Sequence, residues 1–205
     1  MKKIGELLEE QKQFVGRGEE LSLMKQLLTE EGEHWSFIHF YGPAGIGKTT
    51  LLRYFQRMER ERFPVLYIVG QDGFHEPNAF LQALRKSLLH NPLVKFPITS
   101  SDLTEELNRL AQQYGAFLLL LDGLDRWTIQ PWLQEEWLSQ LSIRIRICSA
   151  GRRPFLAWQK AFGWGDVIHN CTLPPLSKAE WLQYVSRYGI TDPQILDRIG
   201  RLTDG

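Results

Sequence analysis

Phe37-Ile38-His39-Phe40-Tyr41-Gly42-Pro43-Ala44-Gly45-Ile46-Gly47-Lys48-Thr49-Thr50-Leu51-Leu52 holds a short apolar run, a glycine-rich turn and the start of a helical pattern. Gly42, Gly47, Lys48 and Thr49 meet the spacing glycine, four residues, Gly-Lys, Ser or Thr. The motif lies between a predicted strand and a predicted helix, which is the context its chemistry needs. Glycines let backbone N–H groups turn inward around a β-phosphate, and the helix that follows adds the positive end of its dipole. Lys48 supplies a point charge between the β- and γ-phosphates, and Thr49 a hydroxyl for Mg²⁺. The expected nucleotide-binding set is therefore Gly42, Pro43, Ala44, Gly45, Ile46, Gly47, Lys48, Thr49 and Thr50. The bland alternative is an ordinary glycine turn before a helix.

Outward from this motif, helical periodicity alternates with short apolar runs, the pattern of an α/β protein with a parallel sheet. Leu21, Met24, Leu27 and Leu28 define a helix before the first strand, Phe37 to Tyr41. Leu51, Leu52, Phe55 and Met58 form the buried face of the helix after the turn. Val65 to Val69 is a second strand, followed by a helix marked by Phe80, Leu84 and Leu88. Asn91 to Ser100, with two prolines, is a loop. Asp102 and Glu105 form a capping box for a helix carrying Leu103, Leu107, Leu110 and Tyr114. Phe117 to Leu121, apolar on both faces, is a central strand.

Ile143 to Cys148 is a further strand, in which Arg144 and Arg146 would put charge on one face. Val167 to Leu173 is the fifth strand. Ser177 and Glu180 make a capping box for a helix through Tyr188, and Pro193 opens another reaching about Leu202. The expected fold is a P-loop NTPase with a five-stranded, mostly parallel sheet in the order 5-1-4-3-2, flanked by helices. Residues 1–173 form its nucleotide-binding domain, and residues 174–205 begin a small helical lid that the chain end truncates.

Magnesium needs a second anchor, and a carboxylate at the tip of a neighbouring strand can hold it through a water. Asp122, after the apolar run Phe117 to Leu121, stands there, although Asp-Gly is also turn chemistry. Asp125 follows three residues later and can orient or deprotonate an attacking water, or be a solvated loop residue.

Composition narrows the classes. The 24 Lys and Arg balance 24 Asp and Glu, so the formal net charge is zero. A nucleic-acid-binding domain usually carries a basic excess, which makes nucleic acid the less favoured partner. Cys148 and Cys171 sit apart in apolar runs and read as buried thiols of a reducing compartment. Acids in Met1 to Glu10 interrupt any signal-peptide core, and no stretch approaches the length of a membrane span. The expected location is the cytoplasm. His34, His39, His75, His90 and His169 lack metal-ligand spacing and receive no role. Trp127, Trp132 and Trp137 crowd one segment, either as helix packing or as an exposed contact face.

Phe14-Val15-Gly16-Arg17-Gly18-Glu19-Glu20-Leu21, the phosphate loop and Leu118-Leu119-Leu120-Leu121-Asp122-Gly123-Leu124-Asp125 together resemble the STAND class of signal-transduction ATPases within the AAA+ superfamily. A small residue after the magnesium aspartate and an acid two places on resemble the NACHT-like Walker B. Arg126 departs from it, standing where a second acid is usual. The resemblance implies that Phe14, Val15 and Arg17 line an adenine pocket, while Phe14 and Val15 also suit a hydrophobic staple. It implies that Arg152, or else Arg153, after Ser149-Ala150-Gly151 reports the γ-phosphate, the alternative being a solvated arginine pair.

Leu173-Pro174-Pro175-Leu176-Ser177 is similar to the family's joint between nucleotide domain and lid, which brings Pro175 into the nucleotide-binding set. Thr203-Asp204-Gly205 resembles the opening of its Gly-x-Pro motif. Thus Lys48, Asp122, Asp125 and Arg152 are the expected catalytic residues, and Thr49 and Asp122 the metal ligands. The resemblance implies an ATP/ADP-binding switch with slow hydrolysis, further sensor or output domains, and an ATP-dependent homo-oligomer. The competing classes are a DNA-acting AAA+ ATPase of origin-recognition or helicase-loader type, and a small-molecule kinase. Gly123, where DNA-acting members usually carry a glutamate, and the neutral charge weigh against the first. The second needs an acceptor pocket and a lid arginine cluster, neither of which is visible.

Overall fold

Strands form where the apolar runs stand between turn residues. In a computed structural model of the chain, residues 14–29, 35–70, 73–95, 100, 102–192, 194–196 and 198 are described. The described chain runs α1 (Gly18–Leu28), β1 (Phe37–Tyr41), α2 (Lys48–Glu59), β2 (Val65–Val69), α3 (Pro77–Leu89), α4 (Leu103–Tyr114) and β3 (Phe117–Asp122). A stretch of short helical turns over residues 124–140 follows. Then come β4 (Ile145–Gly151), α5 (Leu156–Lys160), β5 (Ile168–Thr172) and α6 (Lys178–Ser186). The helix expected from Pro193 to Leu202, the segment Thr203 to Gly205 and His34 fall largely or wholly outside the described residues.

The sheet has five strands in the order β2-β3-β4-β1-β5, which is the expected 5-1-4-3-2 order, and every pairing is parallel. β3 lies second from one edge and is buried along its whole length. Alternation sends Leu66, Phe117, Leu119, Ile147 and Phe37 to one face, where they pack with Phe80, Leu84, Leu107 and Leu110 of α3 and α4. Helix α2 packs on β2, β3 and β4, and its Leu51, Leu52 and Phe55 are wholly buried. Truncating such a phenylalanine to alanine costs about 3–5 kcal/mol.

Several expectations change. Met58 is 37% exposed, because the buried stripe of α2 follows Leu51, Leu52, Phe55 and Glu59. Glu59 is buried and accepts a bond from Arg62 at 3.2 Å. The strand expected at Ile143 begins instead at Ile145 and runs on to Gly151, since pairing with β1 continues to Tyr41 opposite Gly151. Ile143 and Arg144 thus precede it, and only Arg146 puts charge on a strand face; its guanidinium reaches the Trp35 carbonyl at 3.5 Å.

Asp102 caps α4 by accepting from the N–H groups of Thr104 and Glu105, but the returning arm of the box is absent. The Asp102 N–H donates to Ser100 Oγ, whose hydroxyl donates to Glu105. Cys148 is buried and free, whereas Cys171, on edge strand β5, is only half-buried. Trp127 and Trp137 are buried and Trp132 partly so, around Phe80. That is the packing alternative, not an exposed face.

The chain divides into two compact units, Leu21–Leu173 and a second comprising Met1–Glu20 with Pro174–Gly205. In the second, Ser177 and Glu180 complete a reciprocal capping box at the start of α6, which ends at Ser186, short of Tyr188. No helix among the described residues is long and apolar enough to cross a membrane.

Candidate phosphate site

Three strand ends and one helix start meet at the carboxyl edge of the sheet. The turn after β1 leads into α2 through Gly47, whose φ of 98° is left-handed. A side chain there would cost about 1–2 kcal/mol. No side chain caps α2 at Gly47, so its first amides keep the bonding capacity an anion uses. The Lys48 ammonium folds back onto its own loop, donating to the carbonyls of Gly42 and Pro43, both at 2.7 Å.

A cavity of about 250 Å³ opens above this turn. Ala44, Gly45, Gly47, Lys48, Thr49 and Thr50 line one wall. Asp122, Gly123, Asp125 and Arg126 line a second, and Ala150, Gly151 and Arg152 a third. All four residues expected to be catalytic therefore meet at one opening. Gly42, Pro43 and Ile46 belong to the loop without lining the cavity, and Arg153, the reserve for Arg152, does not line it either.

Three cations, Lys48, Arg126 and Arg152, face two acids, Asp122 and Asp125. A net positive lining with embedded carboxylates suits a polyphosphate carrying a divalent cation better than a free cation or neutral ligand. Burial lowers the Lys48 pKa from its ordinary value. Asp125 and Asp122 oppose that shift, while Arg152 and Arg126 add to it.

Asp122 ends β3 between Val69 and Ala150 and is buried. Its Oδ2 accepts the Tyr67 hydroxyl at 2.7 Å. Burial and then this bond push the Tyr67 phenol above its usual range. Tyr67 was not identified from sequence, because it reads simply as one residue of an apolar strand. Its partner is 55 positions away.

With one Asp122 oxygen so engaged, the other and the Thr49 hydroxyl are hard oxygen donors on one cavity. Together they fit Mg²⁺, which keeps several waters and takes few protein ligands. Among the described residues no cluster of three or more His, Cys, Asp or Glu forms a metal cage. Magnesium bound through a threonine, one carboxylate and phosphates needs none.

Gly123, with φ 80°, turns the chain out of β3, and its N–H donates to the Ala150 carbonyl at 3.0 Å. A glutamate here would pay the left-handed penalty. Asp125 in the following turn supplies the second carboxylate instead.

A family model described as AAA domain matches residues 31–157, which contain the whole cavity. The chain belongs to the AAA domain family. No curated protein sequence matches it. As a fold, this AAA domain is similar to Cdc6p from Pyrobaculum aerophilum, at 18% identity and a TM-score of 0.54, over 85% of this chain and 50% of that one. It is likewise similar to the AMPPCP-bound DnaA of Aquifex aeolicus, at 19% identity and a TM-score of 0.54, over 90% of this chain and 57% of that one. A replication initiator DnaA bound to AMPPCP and single-stranded DNA matches at 19% identity and a TM-score of 0.54, over 92% of this chain and 58% of that one. The AAA domain thus spans 50% to 58% of the length of these solved structures.

Phe14, Val15, Arg17 and Pro175 lie in the second unit. There the Arg17 guanidinium is buried, donating to the Pro174 carbonyl at 2.7 Å and pairing with Glu20 at 3.2 Å. Arg17 itself takes a left-handed φ of 63°. The Phe14 carbonyl accepts from Arg187 at 3.1 Å, and the Gly16 backbone lies against the Glu180 carboxylate. The Phe-Val-Gly-Arg segment and the Pro174 to Arg187 segment are thereby tied to one another.

Proposed function

We propose that this AAA domain is the ATP/ADP-binding switch module of a STAND-type regulator, holding Mg-nucleotide and hydrolysing ATP slowly. The observation that carries it is the left-handed Gly123 after Asp122, followed by Asp125 and Arg126 at the cavity. That arrangement supports a site built for occupancy more than for fast turnover. In it, inward loop amides and Lys48 hold the phosphates, Thr49 and Asp122 hold the magnesium, and Tyr67 keeps the Asp122 carboxylate oriented. Bound Mg²⁺ would supply positive charge against the negative phosphates. Asp125 accepts a proton from the attacking water, and Arg152 reads the γ-phosphate. Phe14, Val15, Arg17 and Pro175 contribute to the adenine side.

A γ-phosphate can shift a conformational equilibrium only through contacts that one state alone makes. Arg152 and a lid begun at Pro174 are the elements through which it would act, with residues 1–173 as the nucleotide-binding part. Exchange of ADP for ATP would then permit a homo-oligomer to form in the cytoplasm, with sensor and output domains elsewhere in the protein.

Heat-precipitating freshly purified protein and chromatographing the released nucleotide tests this. Near-stoichiometric ADP is expected. An absence of nucleotide, together with unchanged ATP binding in Lys48→Ala, overturns the proposal.

A DNA-acting ATPase is the second reading, favoured by the fold likeness to Cdc6p and DnaA, one of them bound to single-stranded DNA. At 18–19% identity that likeness speaks for the fold alone. The neutral charge and Gly123 favour the switch. ATPase activity stimulated severalfold by single-stranded DNA would reverse the preference.

A further inference from the structure

His39 is a wholly buried histidine in β1, three residues before the phosphate loop. Its Nε2 lies 2.9 Å from the Arg153 carbonyl and its Nδ1 2.7 Å from Ser149 Oγ. A carbonyl only accepts, so Nε2 carries the proton, and Nδ1 accepts from the Ser149 hydroxyl. The ring stacks on Phe155 at 3.8 Å between centroids. Between those two bonds the backbone of Gly151 lies against the ring edge: a Cβ there would come within 2.9 Å of His39 Cε1 and 3.3 Å of Asp125 Cβ.

Residues 149, 151 and 153 thus all rest on one imidazole. The ladder between β1 and β4 ends at Gly151, so the Arg153 carbonyl bond extends the connection to β1 past the last paired residue. Arg152, between the two outer contacts, lines the phosphate cavity. A buried, stacked ring is a rigid support, and a displacement of about 1 Å at a phosphate ligand is enough to lose a charge-assisted bond.

We propose that His39 is the positioning residue for Arg152, holding the 151–153 turn at the height where the guanidinium meets the γ-phosphate and so setting the preference for ATP over ADP. This rests on Arg152 being the γ-phosphate contact. His39 touches no reacting atom and acts only through the turn.

Titration calorimetry of MgATP and MgADP against wild-type, Arg152→Ala, His39→Phe, His39→Gln and the His39→Phe/Arg152→Ala double variant tests it. Arg152→Ala is expected to lower the ATP-to-ADP affinity ratio about tenfold, the loss of one charge-assisted bond of about 1.4 kcal/mol. His39→Phe is expected to lower it by a similar factor with ADP affinity unchanged, and the double variant to go no lower. His39→Gln, whose amide can still donate to the Arg153 carbonyl, is expected to restore the ratio to within about twofold.

If Arg152→Ala shifts the ratio and His39→Phe does not, the inference fails and the nucleotide reading stands. If Arg152→Ala leaves the ratio unchanged, the assignment of Arg152 fails, and the inference fails with it. Additive effects in the double variant also overturn it. Should His39→Phe not fold, Ser149→Ala removes the Nδ1 partner and is expected to give an intermediate shift; no shift there counts against the proposal.

Discussion

The carboxyl end of β1 and the carboxyl end of β4 both deliver a cation to the same cavity, yet they hold it in opposite ways. Lys48 is held by its own loop, through carbonyls five and six residues back, on a helix that starts at a left-handed glycine. Arg152 sits in a turn whose geometry comes from His39, 110 and 114 positions away from the residues it bonds. A locally closed device leaves a sequence motif. A device closed across the sheet leaves only residues of the right type in unrelated places.

The strongest test of this contrast lies between the two ends, at the Asp125 carboxylate. Asp125→Asn should retain ATP while slowing its hydrolysis by about 10²–10⁴-fold, the usual worth of a positioned general base. Single-turnover release of phosphate measures it, and unchanged turnover would remove Asp125 from the chemistry.

Acid should attack the β4 end first. Burial, with Lys48 adding to it, holds the His39 pKa at about 4, against an ordinary value of 6.5. Above pH 6.5 the ring is neutral in both folded and unfolded chains, and its contribution is fully present. As pH falls from 6.5 towards 4, the unfolded chain takes up a proton that the folded chain refuses. Stability should therefore drop by about 3 kcal/mol over that window relative to a His39→Phe chain. Urea unfolding at pH 7 and pH 4.5 reads the difference; parallel losses in both proteins would show that His39 is not the sensitive group.

At the β1 end, Lys48→Ala should weaken ATP binding about 100-fold, or about 2.7 kcal/mol, while leaving the melting temperature of the nucleotide-free protein almost unchanged. A large loss of stability instead would mean that the loop depends on its own lysine. The smallest expected effect is Gly123→Ala, which places a Cβ in left-handed backbone. It should cost about 1 kcal/mol, or about 2–4 °C in thermal melting for a chain of this size. A neutral result would remove the conformational reason for glycine after the magnesium acid.

Much of the fold was readable because parallel α/β architecture announces itself through alternation of pattern. β1 and β2 match their apolar runs residue for residue, and the strand order follows from the motif at the first strand. β4 runs past its apolar stretch because Ser149, Ala150 and Gly151, which carry no strand signal of their own, belong to it through pairing with β1 and, for Ser149 and Ala150, with β3. Met58 failed because helical spacing places it at the flank of a stripe, and the neighbouring layer decides which flank stays covered. At the site, the loop, Thr49, Asp122 and Asp125 were legible from type and spacing. Tyr67 and His39 were not, since a tyrosine or histidine inside an apolar strand carries no local sign of a polar partner on the next strand.

The sequence by itself determined a glycine turn between a strand and a helix, a lysine at the start of that helix, and an aspartate after an apolar strand. Neighbouring residues and backbone sterics suffice for those. Only the tertiary structure decided that Tyr67 steadies Asp122 and that one neutral histidine underlies the arginine turn. Each depends on which strands lie side by side, and hydrogen bonds of about 3 Å across a sheet are made between residues that the chain separates by tens to more than a hundred positions.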